Sequence, residues 1–407
     1  MSVVIGIIVG LLILMFLVTA HEFGHFIAAR KNGVEVEEFG IGFPPRAMAW
    51  RKVDGKWRRI KKTQWEKMPG KGLILSLNWL PIGGFCQMKG ESDAAKEKGS
   101  FGRASFWGKT KILFAGVAMN WLVAFIVLTV LAWIGMPHFL ENQFQIDADT
   151  QTVVTKPVTV AEIEPGSPAA NGHLMKGDVI TQMRILDDEK DERIVVNIAQ
   201  DLLDFDAKYA GKKVFVTYER DGNIGTTEVA LNGADADYIL GAGIESNAVY
   251  RSTWSAPIVG FCTMAQITGE TFKGVGELLW NLASGVVRQL NFFDQSARQS
   301  GAEAVQKAGD SVSGPVGIIG VLFPNMMSTG INNLLFLTAL ISISLAVMNV
   351  LPIPALDGGR WLLILIFKLR KKTLTKETEE KIVGRAFMVL LAIVVIVTIL
   401  DIFRIIK

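Results

Sequence analysis

The chain of 407 residues has only two cysteines, Cys86 and Cys262. That excludes a disulfide framework and any CxxC metal site. Charge is also scarce, at 20% of residues against 50% hydrophobic, and mean hydropathy is +0.34. Such a chain is too apolar for an ordinary soluble protein, for a disordered segment or for a nucleic-acid tail, and no nucleic-acid partner is expected. No internal repeat or low-complexity tract is evident. Yet 42 Lys and Arg with 39 Asp and Glu exclude an all-membrane bundle. The composition describes two phases, apolar spans and a water-soluble part.

Four runs are apolar enough to cross a bilayer: residues 3–20, 112–135, 334–351 and 386–400. A span needs about 20 residues. The first run lacks a basic leader and a small-residue cleavage site, so it is expected to stay as a span rather than leave as a signal peptide. Charge orients the spans. Between Arg30 and Lys111 there are 18 basic and 8 acidic residues, and from Arg360 to Arg385 there are 8 and 3. Between Pro137 and Asn332 there are 14 basic and 25 acidic. Positive connections stay in the cytoplasm. The first and third connections are therefore expected inside, with the acidic middle and both termini outside. Cys86 and Cys262 then fall on opposite sides and should not pair.

The chemistry sits at the end of the first span, in His21-Glu22-Phe23-Gly24-His25. On a helix, positions i and i+4 face the same way, so both imidazoles can hold one zinc, and Glu22 beside them can take a proton from an activated water. Two His and a Glu in an apolar span are costly and read as functional. A catalytic zinc usually has three protein ligands plus water. The other histidines, His138 and His173, belong to the outside region, so the third ligand should be a carboxylate at membrane depth. Asp357 is the candidate, following Asn349-Val350-Leu351-Pro352-Ile353-Pro354-Ala355-Leu356 and preceding Gly358-Gly359. An alternative is open: Asp357 merely caps a helix at the cytoplasmic surface. Depth favours the ligand. His21 lies about 27 Å along a helix from Val3, near the cytoplasmic edge, and Asp357 follows the third inward span at a similar depth.

HEFGH in the first span, with NVLPIPALDGG after the third, resembles the site-2 protease family (peptidase M50) of intramembrane zinc metalloproteases, and most nearly the bacterial regulator-of-sigma-E type. Ser313-Gly314-Pro315-Val316-Gly317-Ile318 and Pro81-Ile82-Gly83-Gly84-Phe85 also resemble family motifs. The resemblance implies peptide-bond hydrolysis in or near the membrane, with one zinc on His21, His25 and Asp357 and with Glu22 as base. It implies substrate contacts at Asn349 and at Gly83, Gly84 and Phe85. It implies transmembrane protein or peptide substrates, such as anti-sigma factors or signal-peptide remnants, and the bacterial cytoplasmic (inner) membrane. One departure is visible. The family's Ala-Gly-Pro-x-x-Asn pattern reads Ala115-Gly116-Val117-Ala118-Met119-Asn120 here, with Val117 in place of proline.

Residues 160–245 read as a small soluble domain. Gly166-Ser167-Pro168-Ala169-Ala170 and Lys176-Gly177-Asp178-Val179-Ile180 resemble a PDZ domain, residues 199–209 suit a helix, and Asp221-Gly222 between alternating runs marks a hairpin. Peptide capture by strand addition near residues 238–244 and a purely steric cap are both open. Residues 254–290 are interrupted by Glu270, Lys273 and Glu277; they either lie on the membrane surface as amphipathic helices or pack on the PDZ-like domain. Residues 292–310 read as a flexible link. Residues 72–88 are β-prone and turn-punctuated. They form either a surface hairpin with Trp79 at the interface or, by resemblance, a hairpin dipping toward the zinc to align substrate.

The expected fold is a mainly α membrane protein. Four transmembrane helices carry an inserted extracytoplasmic PDZ-like α/β domain and a cytoplasmic membrane-associated β-hairpin. The expected segments are 1–30, 31–111, 112–136, 155–246, 252–312, 331–367 and 386–406. Two rivals exist: a non-catalytic adaptor whose PDZ-like domain captures unfolded extracytoplasmic proteins, and a zinc-dependent transporter. The absence of repeated halves argues against a transporter, and the intact HExxH argues against both.

Overall fold

The structure is a computed structural model and describes residues 2–53, 55–60, 72–140, 142–187, 190–236, 238–289, 299–300 and 314–406. Apart from residues 299–300, the expected link at 292–310 lies outside them, as does Ser313. The chain forms two compact units, Met1–Val130 with Gly260–Lys407, and Leu131–Val259.

Among the described residues four helices are long and apolar enough to cross a membrane: α1 (Ser2–Lys31), α2 (Phe106–Ile134), α7 (Ile331–Val350) and α9 (Lys376–Ile406). At 1.5 Å per residue each reaches or exceeds about 30 Å. On α1 the buried positions are Gly6, Gly10, Leu17, His21, Gly24, His25 and Ala29, which recur at helical spacing and form one inward stripe. The α2 stripe holds Ile112, Leu113, Gly116, Val117, Asn120 and Ala124. The third span differs from the expected single element over 331–367. α7 stops at Val350, and a new helix, α8 (Asp357–Leu369), starts after Pro352 and Pro354. The prolines remove two backbone donors, and α8 begins where the chain has turned back.

A shorter apolar helix, α6 (Pro315–Thr329), contains a π-helical turn at Ile318–Leu322. Its start is held by Asp401 of α9, whose buried carboxylate accepts the Gly314 and Gly317 N–H groups at 3.2 and 2.8 Å. A carboxylate in an apolar helix persists when such donors satisfy it. Residues 256–289 form one helix, α5 (Ala256–Gln289), where several amphipathic helices were expected.

The connection after α1 is a three-stranded sheet in the order β2-β1-β3, and so more than the expected hairpin. It comprises β1 (Val36–Val53), β2 (Lys56–Arg59) and β3 (Ile74–Met88). Both long strands fold on themselves. Residues 38–41 pair with residues 84–87 on one side and 74–77 on the other, and residues 48–51 return along 74–77. Arg46 donates to the buried Glu38 carboxylate across the fold-back of β1.

The second unit holds a seven-stranded sheet in the order β4-β10-β5-β6-β8-β9, with β7 paired to β6. The strands are β4 (Met136–Pro137), β5 (Gln151–Ile163), β6 (Val179–Asp187), β7 (Lys190–Val195), β8 (Lys213–Arg220), β9 (Asn223–Ala230) and β10 (Ala242–Arg251). Two helices accompany them, α3 (Pro168–Asn171) and α4 (Ala199–Lys208). Its core gathers Val158, Val160, Ile180, Met183, Leu202, Phe205, Val214 and Val216. Asp221 and Gly222 both have positive φ and close the β8–β9 turn, with Arg220 opposite Asn223. The buried Asp178 accepts from Nε and Nη2 of Arg220, at 2.6 and 2.7 Å, and from the Met175 N–H. Burial pushes its carboxyl up, but these bonds outweigh burial and hold it below the usual carboxylate range.

Candidate metal centre

His21 and His25 lie on the inward stripe of α1, one turn apart, at 7% and 6% exposure. Their rings meet edge to face with centroids 4.8 Å apart, which brings the two Nε2 atoms to 3.1 Å. Asp357 is the first residue of α8. Its position follows from a tight reversal, because a Cβ on Gly358 would lie 2.1 Å from Val350 O and one on Gly359 would lie 2.0 Å from Ile353 O. Only glycines let the first turn of α8 press against the preceding loop so closely. Asp357 Oδ2 lies 3.1 Å from His21 Nε2 and 3.3 Å from His25 Nε2. The carboxylate occupies a helix start, as the capping alternative required, and it also faces both imidazoles.

The three atoms form a triangle with edges of 3.1, 3.1 and 3.3 Å. Tetrahedral ligands at about 2.0–2.1 Å from zinc have edges of about 3.3 Å. Two imidazole nitrogens and one carboxylate oxygen also match the His/His/acid set of catalytic zinc sites. The residues present therefore fit a zinc ion. Glu22 offers a carboxylate oxygen within 4.8 Å of the imidazole nitrogens.

The neighbouring helix makes room for the triangle. A Cβ on Gly116 of α2 would lie 2.6 Å from both Nε2 atoms, and one on Gly24 would lie 2.2 Å from Ala115 O. His25 Nδ1 is 2.8 Å from Ile112 O, and His21 Nδ1 is 3.3 Å from Asn120 Nδ2. From the sequence, Gly116 figured only within the Ala115–Asn120 pattern, with no role of its own. Gly116 could have been found as the small residue four positions before Asn120, on the same face of α2.

The remaining site residues are placed as follows. Gly83 and Gly84 lie against α1, where Cβ atoms on them would meet Val18 at 2.9 Å and Thr19 at 3.1 Å, just before His21. Phe85 stacks obliquely near Phe43, with centroids 6.2 Å apart. Asn349 is half-buried near the end of α7 and donates to Leu345 O one turn back at 2.9 Å, so its amide is engaged within its own helix. Arg360, one turn after Asp357, pairs with the buried Glu379 at 3.1 Å and donates to Glu91 O. Cys86 and Cys262 are both free thiols.

Comparison with known proteins points the same way. A relative from Clostridium perfringens, named "Putative zinc metalloprotease CPE1693", is 28% identical over 400 residues, spanning 97% of this chain and 98% of its own length. Similarly named relatives from Nostoc sp. and Campylobacter jejuni are each 26% identical, covering 95% and 97% of this chain and 93% and 92% of their own. The family model described as Peptidase family M50 matches residues 9–394. With that match over nearly its whole length, and with an HExxH helix closed by a carboxylate from a second helix, the chain belongs to peptidase family M50.

Proposed function

We propose that the protein is an intramembrane zinc metalloprotease with His21, His25 and Asp357 as metal ligands and Glu22 as general base. The observation that carries this reading is the Nε2–Nε2–Oδ2 triangle beside Glu22, with both imidazoles on a helix apolar enough to span a membrane. When bound, zinc supplies a Lewis acid for the scissile carbonyl and lowers the pKa of a water. Glu22 takes a proton from the attacking water and returns it to the leaving amide nitrogen. Gly116 and Gly24 keep α2 close, so bulk water is excluded from that side. A transmembrane substrate must first unwind, because helical amides are bonded internally. The β3 segment at Gly83, Gly84 and Phe85, beside α1, is the surface proposed to receive the extended chain, with Asn349 as a further substrate contact.

The proposed setting is the bacterial inner membrane, with the β1–β3 sheet cytoplasmic and both termini outside, as the basic loops indicate. The second unit is proposed to be a PDZ-like domain on the outer side. The β10 edge beyond its short pairing with β4 is the candidate strand for peptide addition.

The test is cleavage of a membrane-span reporter by purified full-length protein, together with its zinc content. Glu22→Gln is expected to lower cleavage by about 10²–10⁴-fold with one zinc retained. His21→Ala is expected to lose both. Undiminished cleavage by Glu22→Gln would overturn the mechanism. Comparing membrane fragments from cells carrying wild-type or Glu22→Gln protein identifies substrates.

A further inference from the structure

An imidazole that offers Nε2 to a metal carries its proton on Nδ1, and that proton needs an acceptor. His25 has one, because Ile112 O is a backbone carbonyl and can only accept. His21 is different. Its Nδ1 faces the amide of Asn120, with Nδ2 at 3.3 Å, while Asn120 Oδ1 is buried without a hydrogen-bond partner among the described residues. A ring that offers Nε2 to a metal carries its proton on Nδ1, and with the Asn120 amide turned so that Oδ1 faces Nδ1 that oxygen is the acceptor for it.

The backbone that carries this amide is fixed. Asn120 is fully buried on α2, and its main-chain carbonyl accepts from Ser342 Oγ of α7 at 2.8 Å. Ser342 is itself fully buried. α7 is also the helix that leads to Asp357, so one contact ties the His21 partner to the element preceding the carboxylate.

We propose that Asn120 is the positioning residue for His21. Its amide oxygen accepts the Nδ1 proton of the ring that offers Nε2 to zinc. That bond leaves neither the buried Nδ1 of His21 nor the Oδ1 of Asn120 unpaired when zinc is held. The proposal rests on the ligand set given above.

The test uses full-length protein in lipid nanodiscs. Zinc affinity is measured by competition with a chelator, and the absorption spectrum of the Co²⁺-substituted protein reports ligand geometry. Asn120→Leu removes donor and acceptor at similar volume and is expected to weaken zinc binding by about 10–100-fold and to alter the Co²⁺ bands. Asn120→Asp keeps the acceptor and is expected to restore both toward wild type. Ser342→Ala is expected to fall between them. Wild-type affinity and spectrum in Asn120→Leu would overturn the proposal, and so would equal weakening by Leu and Asp, since that is the mark of a packing role alone. Should Asn120→Leu fail to fold, Asn120→Ala takes its place with the same expected outcomes. His21→Ala separates the two levels: stoichiometric, wild-type zinc binding there overturns the ligand set itself, whereas its loss beside a normal Asn120→Leu overturns only the role of Asn120.

Discussion

At Gly116 a single methyl group would crowd the proposed metal ligands. A Cβ there would stand 2.6 Å from both Nε2 atoms, on the side from which the imidazoles converge. Gly116→Ala is therefore expected to cost about 1–3 kcal/mol of stability through overpacking. It is also expected to weaken zinc binding at least tenfold, because the rings must turn to relieve the contact. Zinc content and thermal unfolding of the same preparation check both effects. Retained affinity would show that α2 shifts instead. The chemistry of the site was legible in the sequence because His21, Glu22 and His25 are residues an apolar span does not ordinarily carry. The space around it was not. A glycine in an apolar helix says nothing until the helix opposite is known, and Gly24 and Gly116 acquire meaning only through Ala115 O and the His rings. Asn120 stood out as polar, but its role depends on which nitrogen of His21 it meets.

At the scale of elements, local signals read well and long-range pairing did not. Asp221-Gly222 set the β8–β9 turn because its positive φ angles are a local matter. β1 went unread because Gly40, Gly42, Pro44 and Pro45 are strand breakers, and what makes a strand there is pairing with β3 on both sides. In the second unit, α4 buries Asp206 to 3% exposure, with Oδ1 lacking a hydrogen-bond partner among the described residues. Burial pushes its carboxyl up from 3.8 to about 7. The folded state then holds a proton that the unfolded state has lost between those values, so stability must fall as pH rises through that window. The loss is on the order of 4 kcal/mol once the group ionises. Asp206→Asn should abolish that dependence and leave the unit more stable than wild type at pH 8, with little difference at pH 4. Thermal unfolding of the full chain at both values checks it. A wild-type unit as stable at pH 8 as at pH 4 would show that Asp206 gains a partner when charged.

For the whole molecule, charge is the most informative property, because it turns four apolar helices into an oriented set. The connection from Arg30 to Lys111 carries 18 basic and 8 acidic residues, whereas residues 137–332 carry 14 and 25. Basic residues beside a span resist translocation, while long segments cross largely regardless of their charge. On the proposed orientation β2, whose Lys56, Trp57, Arg58 and Arg59 are all exposed, faces the cytoplasm, and the β8–β9 hairpin lies outside. On that proposal the Nε2–Nε2–Oδ2 triangle lies at the cytoplasmic end of α1, and cleavage is expected in the inner-leaflet half of a substrate helix. Single cysteines test the orientation. Arg58→Cys and Ile224→Cys both sit at exposed positions, each in a Cys262→Ser background that leaves only the buried Cys86. In intact spheroplasts a membrane-impermeant maleimide is expected to label Ile224→Cys and to spare Arg58→Cys until the membrane is opened. The reverse pattern would turn the molecule over. It would leave the triangle itself intact but move the cut to the opposite leaflet, a change that mapping the fragment ends of a reporter would register independently.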